Sequence, residues 1–517
     1  MDNSKQGFVS LVGAGPGDEG LITVRGVERL EQAEVVVYDY LANSNFLDMC
    51  RPECEKIYVG KRAGSHTLKQ EEINHLLVEH ARRGKAVVRL KGGDPFIFGR
   101  GGEEALYLAR EGISFEVVPG VTAGSAAAAY AGIPVTHRGL SNGVTFVTGH
   151  GAVKGVEEQE QNWKNLAQSD HTLVVYMGVK NLPTIVEALM RHGRAADTPA
   201  AIISWGTTVG QRVVSASLET LAARAQAESI SPPAIAVIGR VVALREKISW
   251  FEGLPLFGSR ILVTRSSDDA KSLSVPLRAL GAEVIELPSI KISPVEDFSE
   301  LDDALQVLSR YRWIVFTSPK GVGIFFSRLF SLGSDARALA ESKVACIGTG
   351  TAAELSAYGI RVDLVPELFT SEGLAQAFKE RKGELLGEYV LFPVSEIARD
   401  IVPNALTSMG ARCSIVPIYT VSKPVYSREE IERAFEPFPD LVSLTSSSTV
   451  HNLVALLEEH ELGAFCSRMR GASIGPVTSR TAEELGISVV TEAKEHSIPG
   501  LIEGIRNFAQ KTRERNA

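Results

Sequence analysis

The sequence predicts an α/β protein of several domains, and three observations carry that prediction. Short apolar runs rich in β-branched residues recur, each closing on a glycine-marked loop and followed by residues at helical spacing, the pattern of strand–loop–helix units. The second half of the chain repeats itself in order, which makes residues 258–517 two similar α/β units. At 517 residues the chain exceeds what one core supports, and about 150 residues per domain gives roughly three.

Composition narrows the class. Hydrophobic residues make up 44% and charged residues 22%, the balance of a globular chain and not of a disordered one. No apolar run approaches the ~18 residues of a membrane span. Residues 1–7 are polar with no charged-then-apolar leader, so no secretory signal is expected. A net charge of −8 argues against bulk nucleic-acid binding and leaves room for a local basic pocket that takes an anionic small molecule. The five cysteines, Cys50, Cys54, Cys346, Cys413 and Cys466, are odd in number and scattered, which is no disulfide framework. Cys50 and Cys54 form a lone CxxxC without a second pair at zinc spacing, so no metal is expected and a reducing cytoplasm fits.

Taken in order, Phe8-Val-Ser-Leu-Val12 is a strand that runs into Gly13-Ala-Gly-Pro-Gly-Asp18. A helix from Thr23 to Gln32 and the strand Val35–Tyr38, ending at Asp39, complete a βαβ opening. The loop is not the dinucleotide fingerprint: its spacing departs from G-x-G-x-x-G, and Pro16 removes a backbone donor that a pyrophosphate cradle would use. Ile57-Tyr-Val59 leads into Gly60-Lys-Arg-Ala-Gly64 and a helix over 69–83, with Ile73, Leu76 and Leu77 at helical spacing. Ala86 to Leu90 is a buried strand opening on Gly92-Gly93-Asp94-Pro95. The glycines there admit a sharp turn and a close ligand, Pro95 drives Asp94 out of the α region, and a helix opens at Glu103. Phe115–Val118 ends at Pro119-Gly-Val-Thr-Ala-Gly124, followed by an alanine-rich helix over 125–130. Four such loops, with Asp, Lys, Asp and Thr placed at strand ends, predict one loop-lined cleft at the carboxyl edge of a sheet, where α/β proteins bind ligands.

From Val144 the pattern shifts. Strands at 144–147, 172–176, 201–204, 212–214 and 234–238 with shorter helices predict a second subdomain with a mixed sheet, the change falling near residue 143. The polar stretch 151–170 reads as a loop. Residues 244–257, with Trp250, Phe251, Pro255 and Phe257, read as a linker joining domain 1–243 to domain 258–517. In the latter, Ile261-Leu-Val-Thr264 is echoed by Val390-Leu-Phe-Pro393, Gly281–Pro288 by Gly410–Pro417, Trp313–Ser318 by Leu441–Ser446, and Ala345–Thr351 by Ala472–Thr478. Four matches in order at a nearly constant offset imply two similar units, each a parallel doubly wound sheet. A cleft between them would be lined by strand ends.

The motifs resemble two known families. Gly13-Ala-Gly-Pro-Gly-Asp18, Val36-Val-Tyr-Asp39, Val59-Gly-Lys-Arg-Ala-Gly64, Arg89-Leu-Lys-Gly-Gly-Asp-Pro95 and Val118-Pro-Gly-Val-Thr-Ala123 resemble the tetrapyrrole methylases, most closely the uroporphyrinogen-III C-methyltransferases, over roughly residues 6–252. Residues 258–517 resemble the uroporphyrinogen-III synthases through short Thr/Ser/Gly loops, and such a synthase makes the methyltransferase's substrate. The resemblance implies a two-subdomain tetrapyrrole methylase fold followed by two doubly wound, flavodoxin-like units of the synthase fold. It implies S-adenosylmethionine as methyl donor, S-adenosylhomocysteine as by-product, and two C-methylations of uroporphyrinogen III to precorrin-2. For the second half it implies closure of hydroxymethylbilane with inversion of the last pyrrole ring and loss of water. A cytoplasmic homodimer, joined through the methyltransferase half and feeding siroheme or cobalamin, goes with it. No leading domain of the kind that oxidises and metallates the product in siroheme synthase is expected, since the first motif starts at Gly13.

Residue by residue, the resemblance places donor contacts at Pro16, Gly92, Gly93, Asp94, Ile97, Thr122, Ala123, Met177 and Gly206. It makes Asp39 a proton acceptor and Lys61 a proton donor, with an anchor for a substrate carboxylate as an equal use of Lys61. Arg62, Lys91, Arg100 and Arg138 are further candidates to hold the substrate's carboxylates through charge-assisted hydrogen bonds. In the synthase half Tyr419 matches the acid that protonates the departing hydroxyl. Thr317, Ser318, Thr351, Ser446, Ser447 and Thr478 offer hydroxyls and amides to carboxylates, with helix N-capping as their alternative use. Two rival functions stand beside this one. The first is a methylase of a later precorrin with a non-catalytic tetrapyrrole-binding second half, which the succession of synthase and first methylase disfavours. The second is a sensing or docking module, since paired α/β units with a cleft are also the shape of binding proteins.

Overall fold

The computed structural model describes residues 7–60, 68–149, 156–396 and 401–516. Its first sheet collects β1 (Phe8–Gly13), β2 (Val35–Tyr38), β3 (Glu55–Tyr58), β4 (Ala86–Lys91) and β5 (Ser114–Val118), all parallel, in the order β3-β2-β4-β1-β5. Side chains alternate between the faces of a strand, and the β-branched runs therefore supply two cores. Helix α1 (Val24–Gln32), capped by Thr23 accepting from Gly26 N at 3.1 Å, sets Leu30 against Val12, Val36, Val88 and Leu90 on one face. Helices α2 (Gln70–Arg82) and α3 (Gly101–Arg110) set Ile73, Leu77 and Leu108 against Val9, Leu11, Val37 and Val87 on the other. Adjacent strands β1 and β4 thus lead to helices on opposite faces. Their loops part at the carboxyl ends and open a crevice there.

The β5 edge carries a separate device. Glu116 accepts from Ser10 Oγ at 2.9 Å and from Arg25 Nη2 at 2.9 Å, and pairs with Arg29. Burial alone would raise its pKa, but the hydrogen bonds from Arg29, Arg25 and Ser10 outweigh that and hold it at about 2. A carboxylate depressed in the folded state stabilises above its unfolded pKa, and that contribution fades as pH falls toward the folded value. Glu116→Gln is therefore expected to cost about 2 kcal/mol at neutral pH, after allowance for its partial exposure. The loss in Tm should shrink steadily below pH 4.5. A Tm difference that stays constant down to about pH 3 would show the ion pairs to be idle.

The second sheet holds β6 (Val144–Thr148), β7 (Thr172–Tyr176), β8 (Pro199–Ser204), β9 (Arg212–Ser217) and β10 (Ala234–Ile238) in the order β6-β7-β10-β8-β9. Only β6 and β7 pair in parallel, so the sheet is mixed, as the sequence predicts. Helix α4 (Ala123–Tyr130) lays Ala127 and Ala128 on Val174, Tyr176, Ala201 and Val237, an approach only small side chains allow. The loop expected over 151–170 is instead largely helix α5 (Val156–Gln168), anchored by buried Trp163 and Ala167. Those two sit one turn apart, but the Glu and Gln around them dilute the apolar period. In the 244–257 segment, Arg245–Ile248 is a helical turn, and the rings of Trp250 and Phe251 lie 5.0 and 4.7 Å from that of Tyr130.

By internal contacts the chain divides into two compact units, Met1–Ile261 with Pro276–Val284 and Arg506–Ala517, and Leu262–Val275 with Ile285–Ile505. The remaining strands are β11 (Arg260–Val263), β12 (Glu283–Glu286), β13 (Lys291–Pro294), β14 (Tyr311–Phe316), β15 (Lys343–Cys346), β16 (Tyr389–Ser395), β17 (Arg412–Ser422), β18 (Leu441–Leu444), β19 (Arg470–Ser473) and β20 (Ser488–Glu492). They form one sheet of order β12-β11-β18-β19-β20 and another of order β13-β17-β16-β14-β15. The sequence repeat is present strand for strand, but it is not two contiguous units. The first copy gives β11 and β12 to one sheet and β14 and β15 to the other; the second copy gives β16–β17 and β18–β19 the opposite way round. Each sheet is thus completed by the other copy. The expectation of wholly parallel sheets is also corrected, because β13 runs antiparallel to β17, pairing Pro294 with Tyr419 and Lys291 with Ser422.

No helix among the described residues is long and apolar enough to cross a membrane. Among the same residues no group of three or more His, Cys, Asp or Glu is placed to hold a metal. Burial, with Cys54 beside it, pushes the Cys50 thiol up to about 12.

Candidate active sites

At the carboxyl ends of β1 and β4 the two glycine loops pair with each other. Gly15 N donates to Gly93 O at 3.2 Å and Gly93 N to Gly15 O at 2.7 Å. Gly13 and Gly120 meet so closely that a Cβ on Gly13 would lie 2.6 Å from Gly120 Cα. Asp94 clips the third loop on: its Oδ1 accepts from Phe96 N at 2.8 Å and its Oδ2 from Gly120 N at 3.0 Å. Each carboxylate oxygen keeps capacity for a further donor. Thr122 Oγ1 lies 2.6 Å from the Tyr176 hydroxyl, which also accepts from Gly124 N at 2.6 Å. Asp18 draws in the second sheet's loops: its N–H donates to Thr207 Oγ1 at 3.1 Å, while its carboxylate accepts from Tyr130 at 2.7 Å. Gly206 is a glycine because a Cβ there would overlap Ala127 of α4.

These loops are strained and partly apolar. Phe98, Arg100, Met177, Trp205 and Thr207 hold φ of 55°, 60°, 51°, 51° and 71°. Bulky residues avoid that region, and holding one there costs about 1 kcal/mol or more. Among the described residues only Ser229 and Glu461 join them as non-glycine positive-φ positions. Tyr40, Leu41, Phe96, Phe98, Met177 and Trp205 are exposed although apolar, with the Tyr40 and Trp205 rings 6.1 Å apart. A rigid polar frame ringed by uncovered aromatic surface suits a flat, largely apolar ligand with a few polar handles.

Asp39 stands at the end of β2. Its Oδ1 accepts from Leu41 N at 3.1 Å and its Oδ2 from Arg89 Nη2 at 2.9 Å. Arg89 in turn donates from Nε to Glu104 Oε1 at 3.2 Å, and Lys91 Nζ donates to the same oxygen at 2.9 Å.

In the C-terminal half, hydroxyls collect where β14 and β18 end. Ser318 caps the helix Pro319–Ser331, accepting from Gly321 N at 3.0 Å, and its Oγ is 2.9 Å from the Tyr419 hydroxyl. Ser446 caps the helix Ser447–Glu459 in the same way, accepting from Thr449 N at 3.2 Å. Ser447 accepts from Thr481 Oγ1 at 2.8 Å, and Thr317 is half-buried at the end of β14.

Comparison with known proteins fits this division. The tetrapyrrole (corrin/porphyrin) methylase family profile matches residues 9–222, and that of uroporphyrinogen-III synthase HemD matches residues 271–503. A porphyrin biosynthesis protein HemD of Ruminiclostridium josui is 40% identical over 500 residues, 96% of this chain and 97% of that protein. The chain belongs to the fused family of tetrapyrrole methylases and uroporphyrinogen-III synthases. A uroporphyrinogen-III C-methyltransferase of Bacillus subtilis is 42% identical over 362 residues, 70% of this chain and 74% of its own length. A crystal structure of a uroporphyrin-III C-methyl transferase from Thermus thermophilus, complexed with S-adenyl homocysteine, is 42% identical and covers 46% of this chain and 99% of that one, with a TM-score of 0.38.

In the methylase half, the structure brings Pro16, Gly92, Gly93, Asp94, Ile97, Thr122, Ala123, Met177 and Gly206 onto loops tied to one another. Lys61 and Arg62 lie outside the described residues. Arg100 is exposed and pairs with Glu103 at 2.6 Å, and Arg138 is exposed in the turn closed by His137 and Ser141. Lys91 is a correction: it is 4% exposed with its ammonium on Glu104, inside the protein and not on a substrate-facing surface. In the synthase half, Thr351 and Thr478 are both buried on the inner side of their helices. Tyr419 is 7% exposed, its ring packed in the core and only its hydroxyl reaching Ser318. Sequence reasoning passed over Arg89 and Glu104, and the aromatic ring of Tyr40, Phe98 and Trp205. The spacing of Arg89 and Lys91 was a usable signal, because residues two apart on a strand share a face.

Proposed function

We propose that the C-terminal half closes hydroxymethylbilane to uroporphyrinogen III, with inversion of the last ring and loss of water, and that the N-terminal half methylates that product twice to give precorrin-2. The boundaries read from the sequence, 1–243 and 258–517 joined by 244–257, separate the two activities. One observation carries the methylase site: Asp94 and the Gly15–Gly93 pair bind three loops into one frame at the carboxyl ends of β1 and β4.

S-adenosylmethionine supplies an electrophilic methyl group on a sulfonium, and the residues present fit it. It carries no phosphate, which agrees with Pro16 in the first loop. Asp94 has acceptor capacity left for ribose hydroxyls or the ammonium, Met177 and Ile97 offer apolar contact to the adenine, and Gly92, Gly93, Thr122, Ala123 and Gly206 line the approach. The protein's work is to align the macrocycle's carbon with that methyl and to exclude water. Asp39 takes the proton the methylated macrocycle sheds, and Lys61 returns one or holds a carboxylate. Arg62, Arg100 and Arg138 anchor carboxylates; Lys91 does not.

In the synthase half Tyr419 donates to the departing hydroxyl, while Thr317, Ser318, Ser446 and Ser447 hold carboxylates. A homodimer through the methylase half, working in the cytoplasm, completes the reading. The test is product analysis. Hydroxymethylbilane alone should yield isomer III, and adding S-adenosylmethionine should carry it to the doubly methylated product. Isomer I alone would overturn the synthase assignment, and isomer III without methyl gain would overturn the methylase assignment.

A further inference from the structure

We infer that Glu104 is a positioning residue for Asp39, acting through Arg89, with Lys91 as the cation that balances its charge. The inference rests on the reading of Asp39 as proton acceptor. Asp39 is the outer end of a line of ionised groups that runs inward from the site. Its side chain is 26% exposed, whereas those of Arg89, Lys91 and Glu104 are 4%, 5% and 0% exposed. Arg89 is fixed on every side: Nη2 donates to Asp39, Nε to Glu104, and Nη1 to Val37 O at 3.3 Å and Leu90 O at 2.9 Å. The guanidinium is planar, so holding Nε and Nη1 decides where Nη2 points. Glu104 supplies the hold on Nε.

The charges support the same conclusion. Arg89 and Lys91 are two buried cations, and Glu104 is one buried anion. The group becomes neutral only when Asp39 is counted. Burying ions is expensive unless they are paired, and apolar residues would fill this face of β4 at less cost, as Val87 does two residues before Arg89. Glu104 carries the load unevenly: Oε1 accepts from Arg89, from Lys91 and from Gln70 Nε2 at 3.0 Å, while Oε2 has no hydrogen-bond partner among the described residues. Burial lowers the Lys91 pKa, with Arg89 pressing the same way and Glu104 opposing. Removing the Glu104 charge would weaken its hold on Arg89 Nε and leave Asp39 as the sole anion for two cations. Asp39 would then be drawn inward, away from the macrocycle.

The experiment uses the full chain with supplied uroporphyrinogen III and S-adenosylmethionine, and compares Glu104→Gln, Glu104→Gln with Lys91→Met, and Asp39→Asn. Glu104→Gln should lower methylation kcat about tenfold, the scale of a slightly misplaced group, with S-adenosylmethionine affinity by calorimetry unchanged. The double variant keeps an acceptor for Arg89 and restores neutrality, so it should recover to within about threefold of the parent. A purely structural role predicts that Tm, and not the kcat of the folded chain, follows these substitutions, so Tm is measured beside kcat. If the single variant does not fold, the double variant decides alone, and a folded double variant still down tenfold or more overturns the inference. Full activity in Glu104→Gln beside an inactive Asp39→Asn overturns it while leaving Asp39 as acceptor. Full activity in Asp39→Asn overturns the acceptor reading and the inference with it.

Discussion

Asp94→Ala should weaken S-adenosylmethionine binding about 100-fold or more while leaving uroporphyrinogen-III synthesis by the same chain intact. The size follows from what the carboxylate holds. Its two oxygens each accept a backbone N–H, from Phe96 and from Gly120, and so tie the β4 loop to the β5 loop. Alanine leaves both donors unpaired and removes the acceptor offered to the ligand. Hydrogen bonds to a charged group contribute about 1.5–3 kcal/mol each, and two such losses felt at the site correspond to two decades or more in Kd. Asp94→Asn separates the contributions. Its amide oxygen can still accept one N–H, but its NH2 faces a donor, so an intermediate loss of about tenfold is expected. Calorimetry on both variants decides the matter, with synthase turnover as the control for folding. Parental affinity in Asp94→Ala would reduce Asp94 to a loop clip.

The central strands of the first sheet were legible because runs such as Val35-Val-Val-Tyr38 are buried on both faces, where composition and length speak together. The loops were legible because their glycines answer steric demands: Gly13 and Gly120 stand where backbones touch, Gly93 holds a φ of 69°, and Gly206 stands where Ala127 intrudes. Sequence reasoning failed where a residue's surroundings come from another part of the chain. Lys91 reads as a surface charge until α3 brings Glu104 beneath it. Thr351 and Thr478 read as loop hydroxyls, but the helices starting at Thr349 and Pro476 turn them inward. The repeat could disclose that β11 resembles β16 and β14 resembles β18, since local strand and loop patterns recur. It could not disclose that the copies exchange halves, because the choice of sheet is made at the crossovers after Pro288 and Pro417. The exposed ring of Tyr40, Phe98 and Trp205 left no local mark either: exposure of an aromatic residue is a property of the assembled loops.

Tyr419→Phe should lower synthase turnover about 100-fold, the low end for a lost general acid, and leave methylation unchanged. The repeat aligns Pro417-Ile-Tyr419 with Pro288-Ser-Ile290, so one copy has a phenol where the other has an isoleucine. The fold explains why the ring is tolerated. Tyr419 lies on β17 opposite Pro294 and packs with Phe316, Val322 and Phe325, a place an apolar side chain fills equally well. What isoleucine cannot provide is the hydroxyl, set 2.9 Å from Ser318 Oγ. That serine already accepts from Gly321 N, so its own proton is available to the phenol oxygen. Tyr419 can then accept from Ser318 and direct its own proton outward, as a phenol both donates and accepts. Phenylalanine keeps the packing and removes one hydrogen bond, worth about 1 kcal/mol of stability, so stability and turnover should part company. Ser318→Ala tests the orientation: it should reduce turnover less than Tyr419→Phe, because the phenol remains but is no longer aimed. The assay must start from hydroxymethylbilane and separate isomer III from spontaneously formed isomer I. Isomer III made at the parental rate by a stable Tyr419→Phe chain would assign Tyr419 to packing at the β13–β17 crossover, and the leaving hydroxyl would have to take its proton from water or from the substrate's own carboxylates.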